Sequence, residues 1–374
     1  MLSVLADLQG ALDGAGPPLA PHAWNAPPPS IPGDTFELPP GLALTISTSG
    51  STDRPKLAML TGAALRASAD ATHQRLGGHG QWLLAMPAHH IAGIQVLVRS
   101  LVAGTTPVSM DLAGGFTAES FALSTAAIAL GATAYTALVP TQLIRLLASA
   151  DGRKSLTRYA AVLLGGAAAA PSLLTQARNA GVRVVTTYGM SETAGGCVYD
   201  GHALDVSFVQ LESDGRIRLA GATLASGYLG DPALTATAFV TDDTGHTWFR
   251  TDDVGHLDAV GALVVDGRLD DLINTGGLKV APRLVEDALT QLNIVAEAVV
   301  VGSPNPEWGQ VVSAAIVVRE GSSPPTLEDV RRRLRGILPD HALPWRLATL
   351  PELPLRGPGK PDRAAIRRHF EHDS

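Results

Sequence analysis

From Leu42 to Thr187 short apolar, β-favouring runs alternate with longer Ala- and Leu-rich runs. "LALTIST" (42–48) reads as a strand, and "GAALRASADATHQRL" (62–76) as a helix with Thr61 as its N-cap. "QWLLAM", "TPVSM", "AYTAL", "AAVLLGG" and "VRVVTTYG" predict further strands. Helices are predicted between them near 93–103, 117–130, 141–149 and 171–180, the last opened by Pro171. Buried strands alternating with helices imply βαβ units and a largely parallel sheet. From Leu204 to Val265 the helical period disappears, and Gly/Asp turns separate short strands such as "GRIRLAG" and "ALVVDG". After "DGRLDD" a new series follows: helix 282–292, strands 295–302 and 311–319, helix 326–338. The expected fold class is α/β. A large N-terminal domain of βαβ units (1–266) carries mostly parallel sheets and a β-rich subdomain, and a small, mobile α+β C-terminal domain (267–374) follows. Residues 1–40, with "PPLAPHAWNAPPPSIPG", predict a loose segment that wraps the surface.

Composition narrows the function classes. A chain of 374 residues, 45% hydrophobic, is too long for one compact core, in keeping with two domains. The net charge of -7 argues against nucleic acid as a partner. The single cysteine, Cys197, allows no internal disulfide. "MLSVLADLQGALDG" lacks a basic n-region, so no signal peptide is expected. The uncharged stretch from Ser120 to Ile144 is rich in Ala, Thr and Ser and punctuated by Gly131 and Pro140. It reads as a buried helix followed by a buried strand rather than a membrane span. A cytoplasmic location is the expectation.

Five clusters carry candidate chemistry. "STSGSTDRPK" (47–56) concentrates hydroxyls around Gly50 and ends in Lys56, a set of donors suited to phosphate oxygens, although no Walker A pattern runs through it. "TTYGMSETAGG" (186–196) lies at the carboxyl end of a predicted strand, where ligands of open α/β sheets sit. There Tyr188 can stack on a base, Ser191 can reach a phosphate oxygen, and Glu192 can hold a magnesium ion. The plainer reading is a strand-to-helix turn capped by Ser191. "FRTDDVGHLD" places Asp252 and Asp253 where a carboxylate could accept from both ribose hydroxyls, or simply shape a β-turn. "DGRLDDLINTGG" offers Arg268 as a nucleotide contact, Asp270 as a hinge, and Gly276 and Gly277 as a slim loop. "LRGPGKPDR" sets Lys360 in a Gly/Pro-framed tip, where a lysine is ordinarily a solvated charge.

In their order, "TSGSTDRPK", "MPAHHIAG", "LLGGAAAAP", "YGMSET", "RTDD", "GRLDDLINTGG" and "GPGK", these motifs resemble those of the acyl-adenylate-forming superfamily from about Leu42 to Arg363. That superfamily includes CoA ligases, luciferases and peptide-synthetase adenylation domains. The resemblance implies that Thr48, Ser49, Gly50, Ser51, Thr52 and Lys56 hold the ATP β and γ phosphates. It implies that Gly165, Gly166 and Ala167 face the adenine near Tyr188, with Gly189 and Met190 alongside. Ser191 would touch the α-phosphate, Glu192 would ligate Mg2+, and Asp253 and Arg268 would bind ribose. Lys360 would bridge the substrate carboxylate and the α-phosphate. Thr48, His90, Ser191 and Lys360 form the implied catalytic set, Asp270 the hinge, and Gly276 and Gly277 the CoA loop. The superfamily usually has Thr-Gly-Asp where this chain has Thr251-Asp252-Asp253, which leaves open which aspartate reads the ribose.

"HHIAGIQVLVRSL" with "LVPTQLIRLL" looks like the o-succinylbenzoate–CoA ligases of menaquinone biosynthesis, and the first motif begins early, near residue 48. In those enzymes an arginine follows "H-x-x-G" at the spacing of Arg99. The substrate's second, unactivated carboxylate needs a cation or converging dipoles in an otherwise apolar pocket. Arg99 is the expected partner, with His90 and Gly189 lining the acyl site; Arg145 is the reserve. The competing expectation for Arg99 is a stem that snorkels to solvent. The expected co-substrates are ATP and CoA, with Mg2+; the expected partners are small molecules, with no nucleic acid and no membrane span, and a homodimer is compatible with the sequence. Another aryl or acyl-CoA ligase, an enzyme loading a separate carrier protein, and a non-catalytic nucleotide sensor are the alternatives. Glu192 together with Lys360 argues against the sensor, because binding alone needs neither.

Overall fold

The computed structural model describes residues 2–23, 37–48, 56–356 and 360–372. The alternation of apolar runs and helices produces a seven-stranded sheet. Its order is Val108–Ser109, Gln81–Leu84, Ala134–Leu138, Ala161–Leu164, Val184–Met190, Gly195–Tyr199, His202–Ala203. Neighbours among the first five strands pair parallel, and the last two add antiparallel. Ala134–Leu138 and Ala161–Leu164 are buried along their whole length, as strands covered on both faces must be.

The helices begin where local chemistry says they should. Thr61 Oγ1 accepts from the Ala64 amide at 3.1 Å, and the helix Gly62–Leu76 ends at Gly77 in the left-handed region with φ 100°. The uncharged stretch resolves into the helix Ala118–Ala126 and the strand Ala134–Leu138. No helix among the described residues is long and apolar enough to cross a membrane.

Three expectations need correction. Residues 2–12 are not loose: they form a helix whose Leu5, Leu8, Ala11 and Leu12 join the main core, with Leu8 fully buried. The three- and four-residue spacing of these apolar positions is a helical stripe that the following prolines obscured. The β-rich segment also contains a helix, Pro232–Ala238, with Asp231 capping the Leu234 amide at 2.9 Å and Pro232 at its first position. At seven residues it is too short to show a period. Finally, Lys56 opens a strand, Lys56–Thr61, that pairs antiparallel with Leu42–Thr48.

The chain divides into two compact units. The first comprises Met1–Ala169, Gln176–Gln210 and Arg218–Thr251; the second comprises Ala170–Thr175, Leu211–Ile217 and Asp252–Ser374. The first unit's core contains Leu44, Leu65, Trp82, Leu97 and Tyr135, all within 1% of complete burial. In the second unit the hairpin Val295–Asn305/Gly309–Val318 is flanked by Ile273–Thr275 and, in parallel, by Arg346–Thr349. Its side chains alternate between two small cores, as a strand's period of two requires. Val300, Val312 and Ala314 pack with Val285 and Leu289, whereas Val299, Val301 and Ala315 pack with Ile366 and Phe370. Arg363 anchors the last helix, Arg363–His372, through Glu286 at 2.7 Å and Asp271 at 3.6 Å.

Candidate active site

Thr48 and Lys56 face each other as the last pair of the first hairpin. Ser49, Gly50, Ser51 and Thr52 lie outside the described residues. The hydroxyl-rich segment therefore connects two antiparallel strands, not a strand and a helix. Lys56 Nζ lies 5.7 Å from the centroid of the Tyr228 ring, within range of a cation–π attraction. The Tyr228 hydroxyl donates to Glu192 Oε1 at 2.8 Å, both residues being buried. A lysine at the end of the hydroxyl-rich segment is thus connected through one phenol to the acid expected to hold magnesium. Magnesium keeps most of its ligands as water and substrate phosphate and takes one or two protein carboxylates, so a single oriented Glu192 fits it. Tyr228 was missed from the sequence because "SGYLGDP" has neither periodicity nor a charge to single it out.

Two predicted clusters sit at the carboxyl ends of neighbouring parallel strands. Gly165, Gly166 and Ala167 follow Ala161–Leu164, and Tyr188, Gly189 and Met190 close Val184–Met190. The sheet brings them side by side at the end where such folds bind ligands. Ser191 and Glu192 then enter a short 3-10 turn, Ser191–Thr193. Thr193 Oγ1 accepts from the Met190 amide at 3.0 Å and donates to Gly195 O at 2.7 Å, which fixes the turn. Gly189 has φ 157°, and a Cβ there would lie 2.2 Å from Gly195 O, so no side chain fits.

His90 is the N-cap of the helix Ile91–Val102, half-buried, with its ring 4.3 Å from that of His89. A Cβ on Gly93 would fall 2.3 Å from Pro87 O, so the glycine of "H-x-x-G" lets the helix start against the preceding turn. We expect Gly93→Ala to lower stability by about 1–3 kcal/mol through this overlap, read as a lower urea midpoint with an unchanged slope.

Along that helix Ile91, Gln95 and Arg99 recur every four residues as one stripe. Gln95 Nε2 donates to Ala194 O at 2.8 Å, and its Oε1 is buried without a partner. A polar residue four positions before Arg99 in an apolar run was a signal available in the sequence. Arg99 does not snorkel: it is 3% exposed. One terminal nitrogen donates to the Tyr199 hydroxyl at 3.3 Å, the guanidinium carbon lies 5.0 Å from the Trp82 ring centroid, and Nε has no partner among the described residues. Burial pulls its pKa below the usual arginine range, with Tyr199 opposing, but an arginine in a protein keeps its charge. Arg145 is exposed and donates to Phe116 O at 3.5 Å.

The second unit holds the other predicted group. Arg268 grips Asp270 with two bonds, 2.8 and 3.0 Å, and lies 3.5 Å from Asp252, which also meets Arg216 at 3.5 Å. Asp253 stands opposite Arg268 in the strand register. Burial works against the charge on Arg268, but Asp270, then Asp253 and Asp252, outweigh it and raise its pKa. Burial likewise opposes the Asp270 carboxylate, and Arg268 nevertheless holds its pKa below the usual range. The expected hinge residue is thus clamped by the expected ribose contact. Gly276 and Gly277 turn between Ile273–Thr275 and Leu278–Val280, with the Gly276 amide donating to Trp308 O at 2.9 Å. Lys360 lies in the two-residue strand Lys360–Pro361, opposite Arg356.

Asp70, His73 and His79 bring possible ligand atoms within 4.8 Å of one another. The Trp82 indole N–H, however, donates to His73 Nε2 at 3.3 Å, which places the ring proton on Nδ1 and leaves no lone pair there for a metal. A cavity of about 450 Å³, lined by Phe208, Leu224, Phe239 and His246 among others, contains none of the predicted site residues. Cys197 is buried, and burial pushes its thiol up to about 12, so it is no nucleophile.

Comparison with known proteins identifies the family. The model of the AMP-binding enzyme family matches residues 17–267, and that of the AMP-binding enzyme C-terminal domain matches residues 284–360. A protein of Mycobacterium tuberculosis named probable 2-succinylbenzoate–CoA ligase is 46% identical over 331 residues, covering 88% of this chain and 85% of the relative. A 2-succinylbenzoate–CoA ligase of Listeria innocua is 31% identical, covering 87% of this chain and 70% of that one. Among solved structures, the o-succinylbenzoate CoA synthetase of Bacillus subtilis, in complex with its acyl-adenylate intermediate, superimposes with a TM-score of 0.73 at 27% identity. That match covers 87% of this chain and 69% of the other.

Proposed function

Because the chain belongs to the AMP-binding enzyme family, we infer that it is an o-succinylbenzoate–CoA ligase, the AMP-forming acid–thiol ligase of menaquinone biosynthesis. Its substrates are o-succinylbenzoate, ATP and CoA. The observation that carries the substrate reading is Arg99, a buried guanidinium with no carboxylate partner among the described residues and an unused Nε–H. A buried cation without a counter-ion costs several kcal/mol. A substrate that brings a second carboxylate supplies the missing charge, and a monocarboxylic acid does not.

In the first half-reaction a carboxylate oxygen attacks the α-phosphorus of ATP; the bond to the β-phosphate breaks, and acyl-AMP and pyrophosphate form. Two anions must approach one another, and in this reading the cations and donors of the chain reduce that repulsion. Thr48 and Lys56, with Ser49 to Thr52, hold the departing phosphates; Ser191 contacts the α-phosphate; Lys360 bridges the two reacting groups. Glu192, oriented by Tyr228, is the magnesium ligand, and the ion supplies charge neutralisation at the phosphates. Gly165 to Ala167 and Tyr188 to Met190 frame the adenine, while Asp253 and Arg268 hold the ribose. His90 and Gly189 line the acyl group beside Arg99.

In the second half-reaction the CoA sulfur attacks the acyl carbon and AMP leaves. The proposed functional division remains at 266/267, with movement about Asp270 withdrawing Lys360 and presenting Gly276 and Gly277 to pantetheine. The Arg268–Asp270 clamp is the contact such a movement would rearrange. The cytoplasm, where ATP and CoA are available, is the proposed compartment, and a homodimer is compatible with the sequence.

The test is formation of AMP and acyl-CoA, followed by mass spectrometry, with o-succinylbenzoate, benzoate and a medium-chain fatty acid offered separately. Strong preference for o-succinylbenzoate is the expected result. Equal use of the plain acids would remove the substrate assignment and leave the adenylation chemistry.

A further inference from the structure

Resting on Arg99 as the receptor for the second carboxylate, we infer that Tyr199 and Trp82 are positioning residues for substrate selection. They hold the guanidinium through a hydroxyl and a ring face, without a protein carboxylate, and so keep its Nε–H for the substrate.

The hydrogen-bond directions around Tyr199 follow from counting protons. Thr72 Oγ1 donates its only proton to Ser68 O, at 2.8 Å. In the 2.9 Å contact between Thr72 Oγ1 and the Tyr199 hydroxyl, the phenol must therefore be the donor. Its oxygen is left to accept from Arg99, at 3.3 Å. The result is a chain of one sense, Arg99 to Tyr199 to Thr72 to Ser68 O, which ends on the helix Gly62–Leu76. Trp82 is held in a similar way. Its N–H is bonded to His73, and its ring packs 5.1 Å from Tyr135 on one side and lies 5.0 Å from the Arg99 guanidinium carbon. Burial, then His79 and Arg99, lower the His73 pKa to about 4, so His73 is a neutral acceptor at neutral pH.

The acid next to Tyr199 in sequence is engaged elsewhere. Asp200 follows Tyr199, but its Oδ1 accepts from the Thr186 amide and hydroxyl at 2.8 and 2.9 Å. A carboxylate on Arg99 would neutralise it and compete with the substrate for Nε. Neutral partners fix its orientation without cancelling its charge. This is the difference between a structural ion pair and a receptor for an anion.

The experiment measures kcat and KM for o-succinylbenzoate, and KM for ATP, in the wild type, Tyr199→Phe, Trp82→Phe and Arg99→Met. Loss of one hydrogen bond to a charged group predicts about a 10-fold rise in the o-succinylbenzoate KM of Tyr199→Phe. Trp82→Phe, with a weaker ring face, should show a smaller rise of the same kind. In both, kcat and the KM for ATP should stay within about twofold. If Tyr199→Phe does not fold, Thr72→Val, one bond further out, must show the selective rise instead. Equal rises for both substrates would overturn the inference, since general damage moves both. An unchanged Tyr199→Phe beside a crippled Arg99→Met would also overturn it, while leaving the substrate reading intact. A wild type indifferent to o-succinylbenzoate would remove the substrate reading and this inference with it.

Discussion

Replacing Lys360 with alanine is expected to slow acyl-adenylate formation about 10²–10³-fold, the usual loss when a charge aimed at a transition state is removed. The reason is specific to the first half-reaction. The attacking carboxylate and the α-phosphate are both anionic, and negative charge concentrates between them as the new bond forms. No such encounter occurs when CoA sulfur attacks the finished acyl-adenylate. Thioester formation from supplied acyl-adenylate should therefore remain within about threefold of the wild type. Lys360 lies in a two-residue strand that pairs with Leu355–Arg356. Pulse-quench measurement of each half-reaction gives the answer. Equal slowing of both halves would make Lys360 a general structural or binding residue, not the adenylation lysine.

Arg99→Met is expected to lower kcat/KM for o-succinylbenzoate about 10²–10³-fold, because the substrate's second carboxylate would be buried without a partner. The same variant should not lose stability. Exchanging a buried, unpaired charge for an apolar side chain of similar volume is often neutral or stabilising, by about 1–4 kcal/mol. Arg99 is 3% exposed, and among the described residues it meets a phenol and an indole but no carboxylate. Kinetics and thermal unfolding on one preparation test both halves of the prediction. Lost activity with a melting temperature lower by several degrees would mean that Arg99 supports the fold instead.

The order of the motifs was legible in the sequence because each is a short local pattern: a cap, a glycine turn, or a run of hydroxyls. Thr61 announces its helix within three residues, and the helix forms from Gly62 to Leu76 as expected. The buried strands were equally plain, since strands covered on both faces are continuous apolar runs. Elements too short for a period were lost, as with Pro232–Ala238. The strand Lys56–Thr61 was lost because it follows directly on the polar loop. The helix Leu2–Leu12 was hidden for a different reason: the prolines after it set the reading of the whole segment.

By itself, then, the sequence determined the strand and helix series, the two-domain plan, and the candidates Lys360, Glu192 and Arg99 by type and position. Tertiary structure alone decided what surrounds them. Arg99 and Tyr199 are separated by 100 positions, and Glu192 and Tyr228 by 36. No local periodicity couples residues that far apart. The first of these meetings depends on how the strand Gly195–Tyr199 adds antiparallel to the sheet and packs beside the helix Ile91–Val102. Whether an arginine snorkels or is buried without an acid is a property of that packing, because the same stem reaches solvent at a surface and is enclosed in a core.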